Sequence, residues 1–113
     1  YGPNTNIVHG GSIIYQIECQ IHYVMQCLAL MLEKSLDALD VRADANASYN
    51  EDVQARSANL AWGHPNVQSW YKNSDGQVIN NSPFSLQEFW EVTHDITPED
   101  FELLHAGSNA ASD

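Results

Sequence analysis

The sequence predicts an α+β fold that is mostly helical, and three observations carry this prediction. A long apolar segment with helical periodicity occupies about residues 13–34, and a more polar helical pattern follows at about 44–61. An Asp-Gly pair between aromatic and β-branched residues predicts a β-hairpin at about 67–80. The 113 residues allow one domain at most. Its core is small, because a chain of this size buries only about 60–68% of its unfolded surface.

The first helix is apolar on nearly every face. Ser12 is placed to cap its N-terminus. A helix of this kind belongs between two layers, so we expect it to be the buried centre of the fold. Because a short chain lacks the layers to cover it, we also expect an exposed apolar patch and homo-oligomerisation through residues 13–32. Its main stripe consists of Ile14, Ile17, Ile21, Val24, Leu28 and Met31.

The second helix is predicted at the surface because its apolar stripe is weak. A short link, residues 36–42, precedes it, and Gly63 with Pro65 stops it.

Short helices are predicted towards the C-terminal end. Ser85 is placed to cap one of them, and Thr97-Pro98 opens a last helical turn. The tail, residues 105–113, is small and polar, so we expect it to be disordered.

Charge and cysteine content indicate which partners and which cellular compartment to expect. The formal net charge of -11 repels phosphate backbones and anionic lipids, so nucleic acid and membrane partners are not expected. Polar residues such as Glu18 and His22 inside the long apolar segment also argue against a membrane span. Cys19 and Cys27 lie about 12 Å apart along one helix and cannot pair with each other. Free thiols favour a reducing, cytoplasmic setting.

A metal site is not predicted. Glu18, His22 and Gln26 share one helix face, but zinc normally takes three or four protein ligands, and the other histidines are scattered. We interpret these residues as a hydrogen-bonded polar group inside an apolar helix. The sequence also offers no nucleophile in a catalytic setting, so no catalytic residue is predicted.

Two motifs resemble a known enzyme family. The opening loop from Tyr1 to Gly11, followed by Ser12 and the long helix, and the later run Ser69-Trp70-Tyr71-Lys72-Asn73 resemble the C-terminal part of Baeyer–Villiger flavin monooxygenases. The resemblance is strongest to the aryl-ketone (4-hydroxyacetophenone) monooxygenase group. The chain starts without methionine, and we expect it to belong to a longer polypeptide. The resemblance implies that residues 1–35 end a flavin-binding domain and that 36–104 form a C-terminal extension.

The resemblance also implies where a cofactor lies. The loop and helix start would sit nearest to FAD, since N–H groups at a helix N-terminus hold electron-rich groups. From spacing alone, the ordinary structural interpretation is favoured over a ligand site, because a glycine before a capped helix is common. The residues nearest to FAD would be Asn4, Thr5, Asn6, Gly10, Gly11 and Ser12.

The complete enzyme would use FAD and NADPH, whereas this chain alone should bind neither. It lacks both G-x-G-x-x-G fingerprints that the family requires. Its partner would then be the rest of its own polypeptide. Two alternatives stay open from the sequence: a stand-alone helical dimerisation module, and a fragment of an N- or S-oxygenating flavin monooxygenase.

Overall fold

Residues 2–6 and 11–105, the part of the chain that the computed structural model describes, form an α+β fold that is mostly helical. The predicted fold class is therefore confirmed. The elements in chain order are helix α1 (Ile13–Glu33), strand β1 (Ala38–Val41), helix α2 (Ala43–Ser57), helix α3 (Leu86–His94), a 3-10 turn (Pro98–Asp100) and strand β2 (Phe101–Leu104). Within the described ranges, no helix is long and apolar enough to cross a membrane. The predicted disordered tail lies, from residue 106 onwards, outside the described residues.

Helix α1 ends one residue before its predicted limit, in a Schellman motif. The Ser35 amide donates to the Leu32 carbonyl at 3.3 Å, and the Leu36 amide donates to the Met31 carbonyl at 2.8 Å. Ser35 takes the left-handed position with a φ of 52°. The reversal buries Leu36 and directs the chain into β1.

The burial expected of α1 is realised on one side only. The helix packs mainly against α3, and its buried residues are Gln16, Cys19 and Leu30. The opposite side is solvent-exposed, which confirms the open apolar patch expected of so short a chain. We call this side the open face; it comprises Ile14, Ile21, Val24, Met25, Leu28 and Leu32.

The two-stranded sheet lies in segments for which no strand was predicted. Strands β1 and β2 pair antiparallel, with Ala38 opposite Leu104 and Val41 opposite Phe101. The sequence suggested a link at 36–42 and a helical turn after Thr97; the turn is present, but it leads directly into β2. Each strand has only four residues, too few for alternation to reveal it.

The hairpin predicted at 67–80 is reduced to a single antiparallel bridge between Lys72 and Val78, which corrects that prediction. The turn itself forms, and Gly76 supplies a φ of 78°. The Asn73 side chain accepts from the amides of Asp75 and Gln77, replacing part of the strand pairing. The segment then pairs with another partner. Residues 78–82, here called the clamp segment, lie against residues 2–6, the N-terminal loop.

A small core joins the helices. Its buried members are Cys19, Val53, Phe84 and Phe89, with Tyr15 packed against them. Val53 comes from α2, which is otherwise polar, as predicted, and which ends at residue 57 rather than 61. Both cysteines are free, as their spacing required.

The start of α3 is fixed by a capping box between Ser85 and Glu88. The Ser85 amide and hydroxyl donate to the Glu88 carboxylate at 2.9 and 2.8 Å, and the Arg56 guanidinium donates to it at 2.9 Å. These bonds, those of Ser85 first, lower the pKa of Glu88 from 4.5 to about 2. Arg56 also lies over the Phe84 ring at 5.0 Å, so the cap is attached to the core.

Acid should therefore weaken the fold through Glu88. Because the folded-state pKa is depressed, the contribution of Glu88 is fully present above its unfolded value of 4.5 and is lost as the pH falls towards about 2. We expect the stability difference between the unaltered protein and Glu88→Gln to shrink between about pH 6 and pH 2. Urea unfolding at successive pH values measures it. Glu33→Gln controls for the loss of one charge, and a pH-independent difference would contradict the prediction.

The open face predicts self-association of the isolated chain. Ile21 and Leu28 are 56% and 46% exposed, so glutamate at both positions should abolish association without emptying the core. Light scattering coupled to size exclusion, over a concentration series at about 0.15 M salt, measures the mass. Val67→Glu, a similar change outside α1, is the control. A monomeric unaltered chain at every concentration would refute the prediction.

Candidate functional site

The N-terminal loop is held against the clamp segment by backbone hydrogen bonds. The amides of Asn4 and Asn6 donate to the carbonyls of Ile79 and Asn80, each at 3.1 Å. In the opposite direction, the Ser82 amide donates to the Asn6 carbonyl at 2.8 Å. The loop that precedes α1 is therefore paired with a segment that lies more than 70 residues further along the chain.

Asn4 completes this attachment with its side chain. Its Nδ2 donates to the carbonyls of Val78 and Asn81 at 2.8 and 3.2 Å, and the residue is 5% exposed. Its φ of 55° lies in the left-handed region, where asparagine is enriched among the non-glycine residues. Asn4 is one of the residues predicted to lie nearest to a cofactor; its amide nitrogen binds two carbonyls of the protein, and the cofactor contact stays a prediction.

A second amide side chain supports the clamp segment from α2. Gln54 Nε2 donates to the Val78 carbonyl at 2.8 Å, and Gln54 Oε1 accepts from the Val78 amide at 2.9 Å. Val78 is buried, so both its backbone polar groups need partners inside the protein. Gln54 supplies partners for both, as a neighbouring strand would.

The start of α1 lies beside the N-terminal loop. The Ser12 hydroxyl accepts from the Tyr15 amide at 3.3 Å, confirming the predicted cap. The first turn of α1 carries no acidic residue, so the helix itself supplies no carboxylate to neutralise the positive end of its dipole. Gly11 is exposed, while Gly10 lies outside the described residues.

A surface cleft of about 590 Å³ connects these features. The paired N-terminal loop and clamp segment both line it, together with Ile13 of α1 and the exposed Trp70. Of the described lining residues none is charged, and Asn6 and Asn80 contribute amide groups. A neutral, partly apolar cleft beside a helix N-terminus suits one edge of a planar, electron-rich ring. The described lining residues are Gly2, Pro3, Asn6, Ile13, Trp70, Ile79 and Asn80.

The described members of the predicted site lie in one region but take different roles, while Gly10 lies outside the described residues. Asn6 lines the cleft, with its Nδ2 donating to Asn81 Oδ1 at 3.2 Å. The Thr5 hydroxyl donates to the Gly2 carbonyl at 2.7 Å, inside the loop. Asn4 holds the N-terminal loop against the clamp segment, and Ser12 caps α1. Direct contact with a cofactor stays a prediction for all of them.

Sequence reasoning missed the supporting residues Gln54, Val78 and Asn81. Their bonds join side chains to backbone groups far away in the chain, which no local pattern reveals. Burial of polar side chains is the signal that the structure adds: Asn81 is 0% exposed, and its Nδ2 has no hydrogen-bond partner among the described residues. The same holds for both amide atoms of Gln16 in α1.

A second cavity, of about 540 Å³, lies among α1, α2, α3 and β2. Its lining is mainly apolar, with the phenol groups of Tyr23 and Tyr49 among the polar atoms. Burial raises the pKa of both tyrosines above its ordinary value. Phe89 from the core and Val41 from β1 also line it.

The polar residues of α1 that resembled a partial metal site bind the end of α3 instead. His22 Nε2 lies 3.0 Å from the His94 carbonyl, and Gln26 Nε2 donates to that carbonyl at 2.8 Å. The His94 ring stacks between those of His22 and Trp90, with centroid distances of 5.4 and 4.1 Å. The described part of the chain contains no group of three residues suited to hold a metal ion. The bonds to the His94 carbonyl agree with the hydrogen-bonded interpretation for His22 and Gln26.

Comparison with known proteins shows that most of this chain is similar to monooxygenases. An uncharacterised monooxygenase of Sinorhizobium fredii is 34% identical over 104 residues, covering 92% of this chain and 16% of the relative. The FAD-binding monooxygenase ktnD of Aspergillus niger is 34% identical over 120 aligned positions, covering 99% of this chain and 19% of the relative. A Baeyer–Villiger monooxygenase of Pseudomonas aeruginosa is 40% identical over 70 residues, covering 62% of this chain and 13% of the relative.

The homologues of this chain are thus flavin-binding monooxygenases, one of them a Baeyer–Villiger monooxygenase by name. The chain matches less than one fifth of the length of each. No protein-family profile matches the chain. No solved structure matches it either.

Proposed function

We propose that this chain is the C-terminal part of an FAD- and NADPH-dependent monooxygenase of the cytoplasm that inserts oxygen beside a ketone carbonyl. The observation that carries the proposal is the similarity of nearly the whole chain to FAD-binding monooxygenases, at 34% identity over 99% of its residues in one case. Within this class we favour the aryl-ketone (4-hydroxyacetophenone) group, which the run Ser69-Trp70-Tyr71-Lys72-Asn73 resembles.

The cleft beside α1 supports the assignment of a flavin edge to this region. Its described lining is neutral, and the adjoining helix start carries partial positive charge without a competing carboxylate. The bound flavin would supply the oxygen-activating chemistry. Asn6 and the helix start capped by Ser12 would orient one ring edge and favour negative charge on it. A complete dinucleotide needs the glycine-rich crevices that lie elsewhere in such enzymes.

The open face of α1 supports a division of the chain at about residue 35. In this proposal residues 1–35 complete the flavin-binding domain, and the remainder of that domain covers the open face. Residues 36–104 then form an extension built on α2, the clamp segment and α3. The same face also favours the second candidate function, a stand-alone dimerisation module, since two copies could cover each other's apolar side chains.

Expression of the complete open reading frame that contains these residues tests the proposal. The purified product should carry bound FAD, visible by absorbance, and should oxidise NADPH and convert an aryl ketone to an ester. The 113-residue chain alone, prepared in parallel, should bind neither nucleotide. A flavin enzyme that oxidises only amines or sulfides would assign the chain to the N- or S-oxygenating class. A product without flavin would overturn the proposal and favour the dimerisation module.

A further inference from the structure

We propose that Gln54 of α2 is a positioning residue that, through Val78 and Asn4, sets the shape of the cleft beside α1 and thereby its affinity for flavin. The inference rests on the proposed function, because it assumes that the cleft receives a flavin edge. Gln54 does not line the cleft. Its influence would pass through a short series of buried hydrogen bonds.

The first step is the two-point attachment of Val78 to Gln54. Both atoms of the glutamine amide are used, at 2.8 and 2.9 Å, so the side chain fixes the position and the tilt of the Val78 peptide groups. Val78 is 2% exposed, and water cannot easily replace these partners. An apolar substitution at Gln54 would leave a buried donor unsatisfied.

The second step is the shared carbonyl of Val78. Its oxygen accepts from Gln54 Nε2 and from Asn4 Nδ2, each at 2.8 Å, which uses both lone pairs. Any displacement of this oxygen therefore changes the bond of Asn4 as well. The two amide side chains are coupled through one atom, although α2 and the N-terminal loop are distant in sequence.

The third step is the pairing of the two segments that line the cleft. Residues 2–6 and 78–82 lie side by side, joined by the bond from the Asn6 amide to the Asn80 carbonyl. Asn4 adds to this pairing from the loop, since it donates to the carbonyls of Val78 and Ile79. A looser Asn4 would let the two segments shift against each other and change the shape of the cleft that both line.

The experiment uses the complete polypeptide and measures the dissociation constant of FAD in three variants. Gln54→Ala removes the α2 attachment. Asn4→Gly keeps the left-handed backbone accessible but deletes the amide. Each should weaken FAD binding about tenfold, because each removes buried hydrogen bonds that hold the lining of the cleft in place. The double variant should bind FAD only slightly more weakly than either single variant, because the two side chains act through the same carbonyl.

Two controls separate positioning from general destabilisation. Gln77→Ala deletes an exposed amide from the neighbouring turn and should leave FAD affinity unchanged. Leu36→Ala removes a buried side chain at the far end of α1 and should lower the melting temperature without weakening FAD binding. A further readout needs no flavin: amide hydrogen exchange at Asn6 and Ser82 should accelerate in Gln54→Ala and not in Gln77→Ala.

The outcomes distinguish the two proposals. A complete polypeptide that binds no FAD overturns the proposed function. A polypeptide that binds FAD with equal affinity before and after Gln54→Ala overturns the positioning role alone. The positioning role is also overturned if Leu36→Ala and Gln54→Ala lower the melting temperature equally and weaken FAD binding equally. Coupled losses in the two single variants, with exchange accelerated at Asn6, would support it.

Discussion

Gly63→Ala is expected to destabilise this protein by about 3 kcal/mol or more, enough to unfold much of it. An added Cβ would overlap the backbone carbonyl of Ser57 and would lie 3.0 Å from the Ala58 nitrogen. Backbone atoms at the end of α2 cannot rotate away as a side chain can, and the Gly63 amide is also bonded to the Leu60 carbonyl at 3.0 Å. Urea unfolding monitored by circular dichroism measures the loss.

Gly2→Ala is the matched control for that change. A Cβ on Gly2 would meet no heavy atom within 4 Å. The free energy of unfolding of Gly2→Ala should therefore stay within about 0.5 kcal/mol of that of the unaltered protein. Equal stabilities for the two variants would show that Gly63 and the end of α2 can move away from each other. The close approach of Gly63 to Ser57 would then not be required for stability.

Phe84→Ala is expected to cost about 3–5 kcal/mol, which is a large share of the total for a domain with so small a core. Phe84 is 3% exposed and belongs to the cluster with Val53 and Phe89. The Arg56 guanidinium over its ring would also lose its support. Thermal and urea unfolding measure the change, and Phe84→Leu should lose clearly less because it fills more of the cavity.

Leu32→Ala tests whether burial, rather than apolar side-chain size alone, explains that cost. Leu32 is 82% exposed on the open face, so its removal should change the stability of the monomer by less than about 0.5 kcal/mol. Similar losses for Phe84→Ala and Leu32→Ala would contradict the assignment of the core. The comparison is made at low protein concentration, where self-association does not contribute.

The helices were predictable because their signals are local. Ser12 and Ser85 mark helix starts within a few residues of the apolar positions that follow them, and both act as caps in the structure. The sheet was not predictable in this way. Leu104 pairs with Ala38 across most of the chain, and neither strand is long enough to show a period of its own.

The sequence pointed to the loop and helix start as a candidate site through Asn4, Gly11 and Ser12, and a cofactor contact there stays a prediction. The structure adds a cleft lined by Asn6 of the loop and Ile13 of α1. What holds the loop in place depends on Gln54, whose role arises from its position against Val78 in the folded chain. A polar glutamine on a polar helix gives no sequence signal for such a bond.

The attachment of the N-terminal loop to the clamp segment has a consequence for the order in which the protein matures. Asn4 is separated by 74 and 77 residues from the two carbonyls that receive its side-chain amide. During synthesis on the ribosome, the loop therefore emerges long before its partners exist. Helix α1 can form early from local contacts, but the cleft beside it is completed only when residues 78–82 have been translated and have folded back. Chains cut short before that point would carry the helix and lack the shaped cleft.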